Sequence, residues 1–239
     1  MKVDGDRTQI YRLDQQLYEG DLCLSGTSEM ALAAFVMNRT FRAEELPLRL
    51  AAVSRCYRAE TSGLSDEKGV YRVHQFTKVE MFGVSTRENS SELLEEMREL
   101  EEEMFESLGL HFQTLDMPPH ELGAPAFRKY DIEAWMPGRN MYGEISSCSD
   151  CTDYQSRRLN IKYLPHSSTA PLHAHTVNGT ACAVPRMLIA LLETYQQADG
   201  TVAVPEPLQH YLRNKSLITL NSDVPVMKYI KSKHISKKY

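Results

Sequence analysis

The chain has 239 residues, 42% of them hydrophobic and 25% charged, an ordinary balance for a soluble globular protein with room for one large core or two small ones. No stretch approaches the ~20 continuous apolar residues of a membrane span, so no membrane partner is expected, and the start MKVDGDRTQIYRLD carries neither an apolar signal core nor an arginine-rich leader. Five scattered cysteines argue for a reducing compartment rather than a disulfide framework, and a formal net charge of -5 gives no general basic surface for nucleic acid.

In chain order, short strands are expected at Ile10–Leu13 and Leu22–Leu24, the second running into Ser25-Gly26-Thr27-Ser28-Glu29. Met30–Met37 is apolar and alanine-rich and reads as a helix, with Thr27 or Ser28 as its N-cap. Leu46–Tyr57 reads as a strand. It enters a hairpin, Arg55–Glu80, whose polar loop Thr61–Gly69 is rich in turn formers. Strand alternation places Arg58 and Glu60 on one face of the first arm, and Arg72, His74, Phe76, Lys78 and Glu80 on one face of the second. Arginines suit phosphate oxygens, an aromatic can stack on a flat base, and a carboxylate can accept from an exocyclic amine, so this face suits a nucleotide. The plain alternative is a solvated sheet face with cross-strand Arg–Glu pairs.

Asn89–Gly109 is expected to be a long helix. Leu93, Leu94, Met97, Leu100, Met104, Phe105 and Leu108 form its apolar stripe, Asn89 with Glu92 its capping pair, and Gly109 its stop. Its other face, with Glu95, Glu96, Glu99, Glu102, Glu103 and Glu106, reads as solvated scaffold that repels phosphate. Phe127–Met136 and Met141–Ser147 read as strands joined at Pro137-Gly138, and Cys151–Tyr163 as a further strand after a break near Ser149-Asp150. Cys148 and Cys151 with His173 and His175 lack zinc-finger spacing and read as small buried cysteines. Pro185–Glu193 reads as a helix with Arg186 in its first turn, where a cation opposes the helix dipole unless an anion lies nearby. Beyond Asp223 five lysines and no side-chain carboxylate make a basic tail, so the expected division is a domain over 1–212 and a tail over 213–239.

The pattern R-x-E, a variable loop, then R-x-H-Q-F-x-K-V-E resembles motif 2 of the class II aminoacyl-tRNA synthetases, and its ending His74–Glu80 is similar to the seryl-tRNA synthetases. Thr27-Ser28-Glu29, Glu144-Ile145-Ser146-Ser147 with Cys151–Arg158, and Asn178-Gly179-Thr180 leading to Arg186 follow in the family's order. The wording around Glu80–Gly83 and Thr176–Ala181 looks most like the animal mitochondrial branch, which implies a mitochondrial matrix location, with cytoplasm as the alternative. The resemblance implies an α+β class II catalytic fold, an antiparallel sheet flanked by helices. It implies two reactions, serine activation by ATP to seryl-adenylate and transfer of the seryl group to tRNA(Ser).

By the same resemblance Arg58 and Arg186 are the catalytic pair. ATP is implied to contact Arg58, Ala59, Glu60, Arg72, Val73, Phe76, Glu144, Ile145, Ser146, Ser147 and Arg186, and Glu144 and Ser147 to hold Mg2+. Thr27, Ser28, Glu29, Glu80, Asn178 and Thr180 are implied to contact L-serine. Regular alternation puts Glu144 and Ser147 on opposite faces, so that metal pair needs a bulge or a strand end, and otherwise Ser146 is the better ligand. Asp150 stands where the family usually has asparagine. The chain begins after the place of the family's dimer-forming motif 1 and its tRNA-gripping arm, so the expected homodimer belongs to a longer form. The competing expectation is a truncated or non-catalytic relative that keeps ATP and serine binding without charging tRNA.

Overall fold

The computed structural model describes residues 9–60, 69–166 and 170–220. Most of the expected hairpin loop and the basic tail lie outside them. The chain divides into two compact units, Met1–Tyr195 and Gln196–Tyr239, and the division expected after residue 212 falls inside the second. That second unit holds a short antiparallel pair, Val202–Ala203 with Leu217–Ile218.

The first unit is built on a six-stranded antiparallel sheet. In chain order its strands are β2 (Leu48–Tyr57), β3 (Gln75–Ser85), β4 (Phe112–Asp116), β5 (Arg128–Met136), β6 (Met141–Asp150) and β9 (His175–Ala183), and in space they run β2-β3-β9-β6-β5-β4. A small second sheet joins β1 (Thr40–Arg42), β7 (Lys162–Leu164) and β8 (Leu172–His173). Helix α1 (Glu29–Phe35) precedes β2, α2 (Ser90–Ser107) follows β3, and α4 (Val184–Tyr195) follows β9. This is the α+β arrangement expected. No helix among the described residues is long and apolar enough to cross a membrane.

Alternation along β3 divides the sheet into two faces. Met81 turns toward α2 and packs with Leu93, Leu94, Met97, Tyr130, Cys148 and Val177, while Phe82 and Val84 pack on the α1 side with Val36, Phe41, Ile161 and Tyr163. Each fully buried large apolar side chain contributes roughly 1.5–3 kcal/mol, so these two clusters hold the sheet between its layers. A third cluster joins Phe105, Ile132, Met136 and Ile145 to Met187 and Ala190 of α4.

Five local expectations change. The segment after β6 is not a strand: Asp150 accepts the Thr152 N–H at 2.7 Å, Thr152 takes φ 45°, and the chain turns into a short helix, α3 (Ser156–Leu159). The Asn89 and Ser28 side chains form no cap hydrogen bonds; instead the Thr27 hydroxyl accepts the Glu29 N–H at 3.2 Å. The apolar stripe of α2 is interrupted, with Leu100 45% exposed and Glu101 fully buried. The acidic face of α2 is knitted rather than free: Arg49 grips Glu96 from β2, Arg128 bonds Glu95 from β5, and Arg98 spans Glu95, Glu99 and Glu102. Such half-exposed pairs contribute about 0–1 kcal/mol each and chiefly fix the helix azimuth. The expected strands at Ile10–Leu13 and Leu22–Leu24 reduce to a single antiparallel bridge, Arg12 with Cys23.

Candidate active site

Two bulges shape the middle of the sheet. On β6, Ile132 faces Ser146 and Glu133 faces Glu144, which leaves Ile145 unpaired; on β9, Glu80 faces Thr180 and Val79 faces Cys182, which leaves Ala181 unpaired. An extra residue shifts the alternation by one. Glu144 and Ser147 are accordingly both half-exposed, while Ile145 and Ser146 are buried. The conflict between strand parity and the metal pair is removed by the bulge. Ser146 is buried and its hydroxyl donates to the Thr180 carbonyl.

Above these bulges lies a cavity of about 260 Å³, lined among others by Arg58, Glu60, Arg72, Val73, Phe76, Lys78, Glu144, Ser147, Thr180 and Arg186. Arg58 and Glu60 follow the end of β2, and Arg72 precedes β3, so the hairpin's charged ends are loop, not strand. The two arms still meet: the Arg58 N–H donates to the His74 carbonyl at 2.9 Å, and Arg72 Nη1 lies 3.1 Å from Glu60 Oε2. His74, expected on the pocket face, is exposed instead and bonds the Tyr11 hydroxyl at 2.6 Å through Nδ1. Phe76, Lys78 and Glu80 keep the expected common face. The Arg58 guanidinium stands 5.2 Å over the Phe76 ring and has no acidic partner among the described residues. A cation without a counter-ion beside a flat ring is a receptive place for a phosphate next to an aromatic base.

Arg186 sits in the first turn of α4, and its conflict with the helix dipole is answered by an anion. Its Nη1 lies 2.9 Å from Glu144 Oε2 and 3.0 Å from the Glu144 carbonyl, its Nε donates to the Tyr71 carbonyl at 3.2 Å, and its guanidinium lies 4.4 Å over the Tyr71 ring. Ala59 does not line the cavity; its N–H bonds the Gln9 carbonyl at 3.0 Å. Ile145 turns its side chain into the core cluster with Phe105 and Met187.

The other end of the site is a part-buried polar network around two carboxylates. Glu80, 2% exposed, accepts the Thr27 hydroxyl at 2.9 Å and pairs with the Lys78 ammonium. Glu29 accepts Asn178 Nδ2 at 2.9 Å and the Gln155 amide, while Gln155 in turn accepts the Thr176 hydroxyl at 2.7 Å. Burial above all, then the nearby Glu80 charge, pushes the Glu29 carboxyl above its ordinary value, against the amide bonds and the Lys78 charge that lower it. Thr180 borders both ends, on β9 opposite Glu80. Ser28 is buried, and its hydroxyl makes no hydrogen bond among the described residues. Neither Lys78 nor Gln155 has a role assigned from sequence; strand parity puts Lys78 on the Glu80 face, and Gln155 lies inside the segment Cys151–Arg158.

Residues 11–195 match the family described as the tRNA synthetase class II core domain (G, H, P, S and T). The chain is 54% identical over 228 residues to the mitochondrial serine–tRNA ligase of Bos taurus, covering 95% of this chain and 43% of that protein. It is 48% identical over 209 residues to the serine–tRNA ligase of Rubrobacter xylanophilus, 87% of this chain and 48% of that protein, so it spans about half the length of such relatives. The fold superposes on seryl-tRNA synthetase from Pyrococcus horikoshii complexed with ATP with a TM-score of 0.83 at 40% identity, over 88% of this chain and 46% of that one. A TM-score of 0.83 at 36% identity is found with the cytoplasmic serine–tRNA ligase of Naegleria fowleri in complex with AMP, over 91% of this chain and 51% of that one. With an arginine-lined cavity beside a carboxylate network and a family match over residues 11–195, the chain belongs to the tRNA synthetase class II core family, and the relatives it resembles are serine–tRNA ligases.

Proposed function

We propose that this chain is the activating core of a serine–tRNA ligase, which joins L-serine to ATP as seryl-adenylate and, in the whole protein, passes the seryl group to tRNA(Ser). The observation that carries the reading is the junction at Lys78 and Thr180 of a part-buried Thr27–Glu80 and Glu29–Asn178 network with a cavity lined by three arginines. In the first step a serine carboxylate oxygen bonds the α-phosphorus, the bond to the β-phosphate oxygen breaks, and pyrophosphate leaves. One anion attacks another, so the protein must neutralise and align charge rather than move a proton. Arg58 serves the α-phosphate, Arg72 and Arg186 the outer phosphates, Phe76 the adenine ring, and Glu60 its amine. Glu29 and Asn178 receive the serine ammonium, and Glu80 reads the hydroxyl.

Glu144 and Ser147 share the open face created by the bulge and offer hard oxygens, which fits Mg2+ as a partial shell. Among the described residues no group of three acidic, His or Cys side chains converges, consistent with a cation that relies on substrate phosphates for its remaining oxygens. Bound there, Mg2+ would neutralise the phosphate oxygens and orient the leaving group. The likeness to the mitochondrial serine–tRNA ligase of Bos taurus supports a mitochondrial location, and a homodimer is the assembly proposed for the whole protein.

The test is serine-dependent exchange of pyrophosphate into ATP, with alanine and threonine as controls. Exchange with serine alone supports the reading. Binding of ATP and serine without exchange would make the chain a non-catalytic pocket, and exchange driven better by another amino acid would overturn the substrate.

A further inference from the structure

The proposed activation site has a floor that the chemistry above does not use. Strands β6 and β9 pair only through Cys148 with Gly179, Ser149 with Asn178 and Asp150 with Val177; beyond them the two strands part toward their bulges, and the cavity opens in the gap. Strands that part leave backbone groups without ladder partners. Beneath this point, on the α2 side, sits Glu101, with no exposed surface, in the helical position between Met97 and Phe105 that an apolar residue should fill. A Cβ on Gly179 would lie 2.7 Å from Glu101 Oε1, so the glycine leaves room for the carboxyl to rise against the sheet. Around it lie the Ser146 hydroxyl, the Cys148 thiol and the Thr180 backbone, yet neither carboxyl oxygen makes a well-formed hydrogen bond among the described residues.

An ionised carboxylate is strongly disfavoured at this depth. Burial first, and the Glu80 carboxylate on β3 second, push its pKa up to about 8, against Ser146, Cys148 and Thr180, which favour the charge. A neutral acid has one acceptor oxygen for a freed N–H and one O–H to donate, which a glutamine side chain reproduces and a leucine does not.

We propose that Glu101 is a positioning residue for serine activation, a buried polar wedge that fixes Thr180 and Ser146 at the parting of β6 and β9 and so sets the distance between the carboxylate end and the arginine end of the site. The inference rests on the proposed function for its consequence, but its geometry can be tested without it. Amide hydrogen exchange at residues 145–148 and 179–181 is compared in the wild-type chain, Glu101→Gln and Glu101→Leu. Affinity for a non-hydrolysable seryl-adenylate analogue and for ATP alone is measured alongside. Glu101→Leu should speed exchange in both segments by about tenfold or more, the signature of a local opening. It should weaken the analogue, which spans both ends, by about tenfold while changing ATP alone by less than about threefold. Glu101→Gln should restore both readouts. Unchanged exchange in Glu101→Leu overturns the wedge, as does a Gln variant as impaired as the Leu variant. A wild-type chain that binds no analogue would sink the serine-activation reading instead, while the exchange comparison would still decide the wedge.

Discussion

The two ends of the site are built on different principles. At the carboxylate end Glu80 is buried and Glu29 half-buried, and the two are held by Thr27, Lys78, Asn178 and Gln155. At the arginine end Arg72 is paired with Glu60 and Arg186 with Glu144, both at the cavity wall, while Arg58 has no acidic partner among the described residues and rests on Phe76. The first end is preorganised to read a small molecule's donors. The second holds cations on exchangeable partners that a polyphosphate can displace. Selectivity should therefore reside in the buried end and rate in the open one, and substitutions should separate them.

The largest effect is expected at the open end. Arg58→Ala should lower serine-dependent pyrophosphate exchange by about 10²–10³-fold, since a fixed donor aimed at developing charge is worth that much. Arg58→Lys should recover only part of it, because an ammonium lacks the planar fork. Serine affinity measured without ATP should stay within about threefold, as Arg58 touches none of the carboxylate network. A parallel collapse of serine binding would show that the ends are not separable.

Glu80→Ala breaks the comparison from the other side. It removes the partner of both Thr27 and Lys78 and the proposed reader of the serine hydroxyl. Sites that hydrogen-bond a hydroxyl can reject its absence by about 10⁴–10⁵, so loss of one carboxylate should erode serine-over-alanine discrimination by about 10²-fold or more. ATP affinity should be little changed, and an equal loss of both would count against the assignment.

Glu29 sharpens it further through pH. Its carboxyl is raised by burial and by Glu80, so it takes up a proton at higher pH than an ordinary carboxylate, whose value is near 4.5. Only the ionised form attracts a serine ammonium. The KM for serine should rise on acidification from a pH above the ordinary carboxylate range, with KM for ATP flat, and Glu29→Gln should give a serine KM about tenfold higher that no longer follows pH. Folding stability carries the opposite sign: with the folded value raised, this group's contribution is fully present below the unfolded value and is lost as pH rises through the folded one.

Strands β2, β3, β5 and β6 and the helices α2 and α4 were legible because apolar alternation and helical spacing are local, whereas the strand order, with β9 between β3 and β6, is set by non-local pairing. Parity alone likewise puts Phe76, Lys78 and Glu80 on one face. Glu144 and Ser147 were not resolved, because a bulge at Ile145 is decided by how β5 and β6 pair and leaves no mark within β6 itself. The strand expected after Cys151 fails for a related reason, as one Asx turn at Asp150 outweighs the β-forming residues that follow. On α2 a stripe read by residue type includes Leu100, although Glu101 holds that angular position in the fold. Only tertiary packing against Gly179 shows why a carboxyl belongs there.

The smallest effect concerns the scaffold both ends share. Gly109 stops α2 with φ 65°, and a Cβ there would lie 2.4 Å from the Tyr195 hydroxyl, which donates to the Leu108 carbonyl at 2.6 Å. Gly109→Ala thus meets two penalties, a left-handed backbone that alanine resists and a clash with a ring that caps the helix end. The Tyr195 oxygen is the far end of a side chain anchored on α4, so it can yield only by giving up its hydrogen bond. A destabilisation of about 1–2 kcal/mol is expected in denaturant melts, with Tyr195→Phe relieving part of the clash when combined with it. Neither the serine selectivity of the buried end nor the exchange rate of the open end should move below the melting range. If Gly109→Ala shifts selectivity while leaving stability intact, the end of α2 is coupled to the carboxylate network, and the separation of scaffold from site fails at that helix.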